Sequence, residues 1–334
     1  MRGSGPRKRF GGNARKHLKA GSMGLGIGLL GFQTTIANSV TLSGTGVHSG
    51  AEVAITFHPT EPDSGIVFQR VDGERTISEF RAVSSQVGNT DLCTVLGFSS
   101  STSIATIEHV MAAIYALGLD NLLVEVHGAE MPIMDGSSAP FIEAIEQTGI
   151  KALAVKRRYI RILKPVRIES GSSWSEFTPY DGMRFEVEID FDCPLIGRQA
   201  WKGDITPSVF KIELSRARTF GFMRDVERMW AAGRGLGSSL ENSVVIADDN
   251  TVINIEGLRY TDEFVRHKTL DAVGDLALAG APFIGCYRSY RGGHKMNANA
   301  LKALMSDPTA YEIVETATRR QRVTPREVTA VNAP

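Results

Sequence analysis

Alternating and helix-spaced apolar positions divide the chain into two series of mixed elements. Residues 39–43 and 51–57 flank the glycine-rich stretch Gly44 to Gly50, and Val53, Ile55 and Phe57 share one face, which predicts a hairpin. Further strands are predicted over residues 66–70, 94–98 and 122–126. A helix capped by Thr106 is predicted through Val110, Met111, Ile114 and Leu117 to Gly118, and a second over residues 140–147. The later series predicts strands over 159–163, 166–169, 175–179, 183–191, 243–247 and 283–287. Its helices run from near Met223 to Ala232, from a Thr261 cap to the stop at Gly280 and Pro282, and over 298–305. Two such series outline a duplicated unit, although no residue-level repeat is visible.

Composition places these elements in a globular chain with room for about two domains. Lys+Arg and Asp+Glu balance at 37 each, so no general charge excess calls for nucleic acid or an anionic membrane. The balance is uneven, because the first acidic residue is Glu52 and seven Arg and Lys residues precede it. That basic head and the apolar run from Met23 to Phe32 have the outline of a secretory signal, but Gly24, Gly26, Gly28 and Gly31 interrupt the run. Cys93, Cys193 and Cys286 form no disulfide framework. The expectation is a cytoplasmic chain with a disordered basic extension over residues 1–32, in which Met23 is an alternative start. No later run approaches the roughly 18 apolar residues of a membrane span. From about Tyr311 the tail is polar and expected to be loosely held.

The chemistry concentrates on one predicted helix. Residues four apart on a helix are offset by only about 40°, so His267, Asp271 and Asp275 fall on one stripe. An imidazole and a carboxylate one turn apart can grip a metal ion, while the plainer reading pairs Lys268 with Asp271 at the surface and buries His267. His109 stands out among the other histidines because Glu108 precedes it, and a carboxylate beside a ligand histidine can take a proton from water. His109, His267 and Asp271 together make three N/O ligands and leave the fourth position of a tetrahedral zinc open. His294, on a glycine-rich loop, is a candidate proton donor that Asp275 could hold protonated. Lys268 and the Thr219 hydroxyl could stabilise an oxyanion.

Six strings in order then carry a resemblance. They are Gly46-Val47-His48-Ser49-Gly50, Thr106-Ile107-Glu108-His109, Pro132-Ile133-Met134-Asp135-Gly136-Ser137, the run from Ser215 to Phe222, His267-Lys268-x-x-Asp271-x-x-Gly274-Asp275, and Gly293-His294. From about Gln33 to Leu304 the chain resembles the UDP-3-O-acyl-N-acetylglucosamine deacetylase family, cytoplasmic zinc amidases of lipid A synthesis. The resemblance implies an α+β fold of two similar layered domains, 33–155 and 156–306, with the site between them and a tail over 307–334. It implies one zinc per chain on His109, His267 and Asp271, with Glu108 activating water. Thr219 and Lys268 would stabilise the oxyanion, and His294, oriented by Asp275, would protonate the leaving amine. The substrate would be a UDP-linked acylated amino sugar and the protein a monomer, with no nucleic-acid partner. An insert in the second domain would house the acyl chain, with Phe220, Phe222, Met223 and Val226 in the matching segment. Phe191 matches an aromatic that stacks on uracil, and Arg291 a basic residue near the diphosphate. The chain departs from the pattern at Ser173, where several members carry a lysine, and in the turn Gly235-Leu236-Gly237-Ser238-Ser239. Rival readings are a metal-binding inactive relative and a zinc hydrolase for a different amide.

Overall fold

A computed structural model describes residues 31–315. The expected disordered extension lies outside these residues except for Gly31 and Phe32, and Phe32 opens a strand, Phe32–Ile36.

Each half is built on the same sheet. In the first, the strand order is Val40–Thr45, Glu52–Pro59, Leu122–His127, Ile66–Asp72, Arg75–Arg81. Only the pairing of Ile66–Asp72 with Leu122–His127 is parallel in this sheet; the rest are antiparallel. In the second, the order Val166–Ser170, Ser173–Thr178, Phe283–Tyr290, Met183–Asp190, Arg198–Asp204 repeats that arrangement, with the parallel pair again third and fourth. The strand after each major helix therefore takes the same place in both sheets, which gives the duplicated unit suspected from the sequence a definite register.

The helices complete the correspondence. Helices α1 (Glu108–Leu117) and α2 (Ala139–Thr148) belong to the first half. The second half has a single turn α3 (Pro207–Val209), then α4 (Met223–Ala231), α5 (Glu263–Leu276) and α6 (His294–Met305). By position α5 answers to α1 and α6 to α2, while α4 and the short parallel pair Phe220–Phe222 with Val244–Ile246 form an addition without a counterpart among the described residues of the first half. All ten residues of α1 are buried, and the helix packs against α5 and α2. Close approach of the two helices is possible because position 274 is glycine. A Cβ there would stand 2.0 Å from the carbonyl oxygen of Glu108.

Several local expectations differ from the structure. Thr106 does not cap α1; it sits at φ 60°, unusual for a β-branched residue, and its hydroxyl donates to Oε1 of Glu130. Thr261 does not cap α5 either, since the helix begins after Asp262 and its first residue, Glu263, is buried against Arg218. Residues 94–98 form no strand; only Leu96 makes isolated bridges, and the segment instead turns Thr94 toward the helices. Helix α6 starts at His294 rather than at 298. The polar tail contributes the strand Tyr311–Glu315, antiparallel to Arg158–Ile162 in the second sheet. No helix among the described residues is long and apolar enough to cross a membrane.

Candidate active site

The N-terminal end of α1 and the middle of α5 bring three buried donors together. His109, His267 and Asp271 each offer one ligand atom within 4.8 Å of the others. Nε2 of His109 lies 3.5 Å and Nε2 of His267 3.3 Å from Oδ1 of Asp271. Nδ1 of His267 is 3.0 Å from the carbonyl oxygen of Ala217, and a carbonyl only accepts. The proton therefore sits on Nδ1, and Nε2 presents its lone pair to the carboxylate. Burial pushes the His267 pKa down to about 3, so the ring is neutral near pH 7. Oδ1 of Asp271 is buried without a hydrogen-bond partner. Burial acts to raise the pKa of this carboxyl, but its imidazole neighbours, His267 first, and the Lys268 ammonium, with Nζ 3.1 Å from Oδ2, together hold it well below the ordinary carboxylate value. Two electron-rich atoms, Nε2 and an orphaned carboxylate oxygen, thus face each other in a dry site. A divalent cation fits that donor set and removes its cost.

A second cluster borders the first. The carboxylate of Glu108 accepts from the backbone N–H of Thr94 at 3.0 Å, and the Thr94 hydroxyl donates to Oδ1 of Asp275 at 2.6 Å. One threonine thereby fixes a carboxylate from each half. Nδ1 of His294 is 3.0 Å from Oδ2 of Asp275, which leaves Nε2 facing Glu108 at 3.9 Å. Asn297, three residues along α6 from His294, donates to the same Oδ2 at 2.8 Å and accepts from the buried Tyr287 hydroxyl. Burial acts to lower the His294 pKa, but Asp275 and Glu108 outweigh it and raise the value to about 9. Burial also raises the pKa of Glu108, against the opposing charges of His294 and His109. Thr94 and Asn297 escaped the sequence reading. The i, i+3 spacing from His294 could have flagged Asn297, whereas nothing local marks Thr94.

The segment before the addition is held rigidly. Arg218, 1% exposed, donates from its backbone N–H and Nε to Oε1 of Glu263 at the start of α5 and from Nη2 to the carbonyl of Gly257. Its neighbour Ala217 orients His267, and Thr219 follows with its backbone N–H bonded to the Gly136 carbonyl of the first half. One buried ion pair thus fixes a ligand tautomer and a cavity hydroxyl at once.

Residues 33–306 match the LpxC family, described as UDP-3-O-acyl N-acetylglycosamine deacetylase. The chain is 61% identical over 284 residues to proteins named UDP-3-O-acyl-N-acetylglucosamine deacetylase from Brucella ovis, Brucella canis and Brucella melitensis. Those alignments cover 85% of this chain and 99% of each relative. The chain belongs to this family. Its buried His/His/Asp group agrees with the metal dependence of these deacetylases.

The remaining residues singled out from the family pattern divide into two groups. A cavity of about 490 Å³ opens from the His/His/Asp group, and Glu108, Thr219, Lys268 and His294 all line it. Phe191, Phe220, Phe222, Met223 and Val226 continue its wall as an apolar passage along α4. Phe191 meets Phe220 edge to face with ring centroids 5.7 Å apart, and Lys268 Nζ lies 5.6 Å from the Phe220 centroid. Arg291 stands apart: it does not line the cavity, and its guanidinium donates to the Asp190 carbonyl at 3.0 Å and to Ser172 at 3.4 Å.

Proposed function

We propose that the chain is a zinc-dependent amidase of one metal per monomer, which hydrolyses UDP-3-O-acyl-N-acetylglucosamine to UDP-3-O-acyl-glucosamine and acetate. This is the committed step of lipid A synthesis and belongs to the cytoplasm. The observation that carries the reading is the convergence of His109 Nε2, His267 Nε2 and the orphaned Asp271 Oδ1 beside Glu108 and His294, at the inner end of an apolar passage.

His109, His267 and Asp271 would hold the zinc, which when bound would supply Lewis acidity toward the water and the acetyl carbonyl. Glu108, with its raised pKa, takes a proton from the attacking water. As the carbon–oxygen bond forms, negative charge gathers on the acetyl oxygen, and the Lys268 ammonium and Thr219 hydroxyl donate to it. His294, kept protonated and aimed by Asp275, delivers its proton to the amine as the carbon–nitrogen bond breaks. Asp275 acts through His294 and does not touch the substrate.

The passage lined by Phe220, Phe222, Met223 and Val226 takes the acyl chain, and Phe191 at its mouth stacks on the uracil. A diphosphate contact by Arg291 requires its guanidinium to exchange the long bond to Ser172. The functional domains are 33–155 and 156–306, so the site exists only where they dock. The test is acetate release from acylated and non-acylated UDP-N-acetylglucosamine, with chelator and after zinc return. Activity on the acylated substrate alone, lost on chelation and restored by zinc, is expected. Equal rates on both substrates would favour a hydrolase of other amides.

A further inference from the structure

Beside the catalytic cavity lies a second cleft of about 640 Å³, which carries a guanidinium that the cavity lacks. Val95, Phe98, Ala105 and Ala129 give it apolar surface, and set into that surface are the polar groups of Ser49, Asn89, Ser99 and Ser103, with Arg234 at one side. His48 lines both this cleft and the catalytic cavity, and the adjacent residues Ala105 and Thr106 face the cleft and the cavity respectively. His48, the backbone at 105–106 and the turn at 233–235 therefore border both spaces.

Two groups at that border lack partners. The guanidinium of Arg234 makes no ion pair or hydrogen bond among the described residues, and Nδ1 of His48 is buried without a hydrogen-bond partner. The one carboxylate in the lining, Glu130, is committed elsewhere: it accepts from the backbone N–H groups of His48 and Ser49 and from the hydroxyls of Ser49 and Thr106. Arg234 is held in place because its turn is tied to the first half, with Leu236 N–H donating to the His48 carbonyl and Gly237 N–H to Val47. A free guanidinium amid hydroxyls is a site for a small carboxylate.

We propose that this cleft is the exit for acetate and that Arg234 binds the departing carboxylate. The inference rests on the deacetylase reading above. In that reading the acyl chain fills the apolar passage and the nucleotide covers the other mouth, so acetate is formed beneath a product that is still bound. A side route past His48 toward the Arg234 guanidinium lets the small anion leave first.

The test is product inhibition of the zinc-loaded enzyme by sodium acetate at constant ionic strength, using wild type, Arg234→Gln and Arg234→Lys. For Arg234→Gln the acetate inhibition constant should rise about five-fold, with KM for the acylated substrate within two-fold, and Arg234→Lys should restore most of the loss. An unchanged inhibition constant overturns the proposal, as does an equal rise in KM, which would make Arg234 a substrate contact. Absence of acetate inhibition in the wild type also overturns it. Failure of the wild type to release acetate at all would instead remove the deacetylase reading itself.

Discussion

The crossing of α1 and α5 and the passage along α4 are built to opposite standards. In the crossing every residue of α1 and twelve of the fourteen residues of α5 are buried, and each charged group there has a named counterpart or a place in the donor set. Along α4 no residue is buried, and Met223 and Trp230 are 44% and 56% exposed. The first region positions reacting atoms, where a displacement of about 1 Å can cost a hundredfold in rate. The second, in the function proposed above, takes a flexible chain, for which contact area matters and exact placement does not.

That contrast can be broken most severely at Glu108. Glu108→Ala should lower turnover by about 10²- to 10⁴-fold while metal content stays near one per chain. Metal analysis of a fully active variant would remove Glu108 as the base. Next in size is Arg218→Met, which leaves Glu263 buried without its partner. Loss of about 3–5 kcal/mol in denaturant unfolding is expected, because an uncompensated internal charge is the costly half of such a pair.

Asp275→Asn sharpens the comparison through pH. Asp275 is the largest influence raising His294 to about 9, so the protonated donor is present below that value and lost as pH rises through it. Without the carboxylate the imidazole pKa falls, and the alkaline limb of the rate profile should move to lower pH by about one to two units, about a two- to tenfold loss at pH 8. An unmoved limb would assign it to another group. The smallest effect belongs to the passage: Val226→Ala should raise KM for the acylated substrate about two- to five-fold and leave kcat unchanged.

Legibility in the sequence follows the same division. His109, His267 and Asp271 could be grouped because they lie in local strings with helical spacing, and the structure brings them together. The hairpin, the main strands and α2 were visible through their alternation or helical spacing. Edge strands such as Arg75–Arg81 were not, because an edge with exposed charges carries no core-facing period. Thr94 was illegible for a different reason. Its role joins residues 14 and 181 positions away, and its own segment has no regular structure to predict. The Thr106 and Thr261 caps failed because tertiary partners, Glu130 for Thr106 and Arg218 for the first residue of α5, displaced the local rule.

Gly274 has one further consequence. Because no side chain separates the helices at that point, the spacing between His109 and His267 is gauged by main-chain atoms, as a ruler is by its engraved marks. Repacking of the surrounding core cannot widen or narrow the bite of the donors without parting two backbones. A residue without a functional group therefore calibrates the instrument, and even Ala at this position should spoil the metal site before it unfolds the chain.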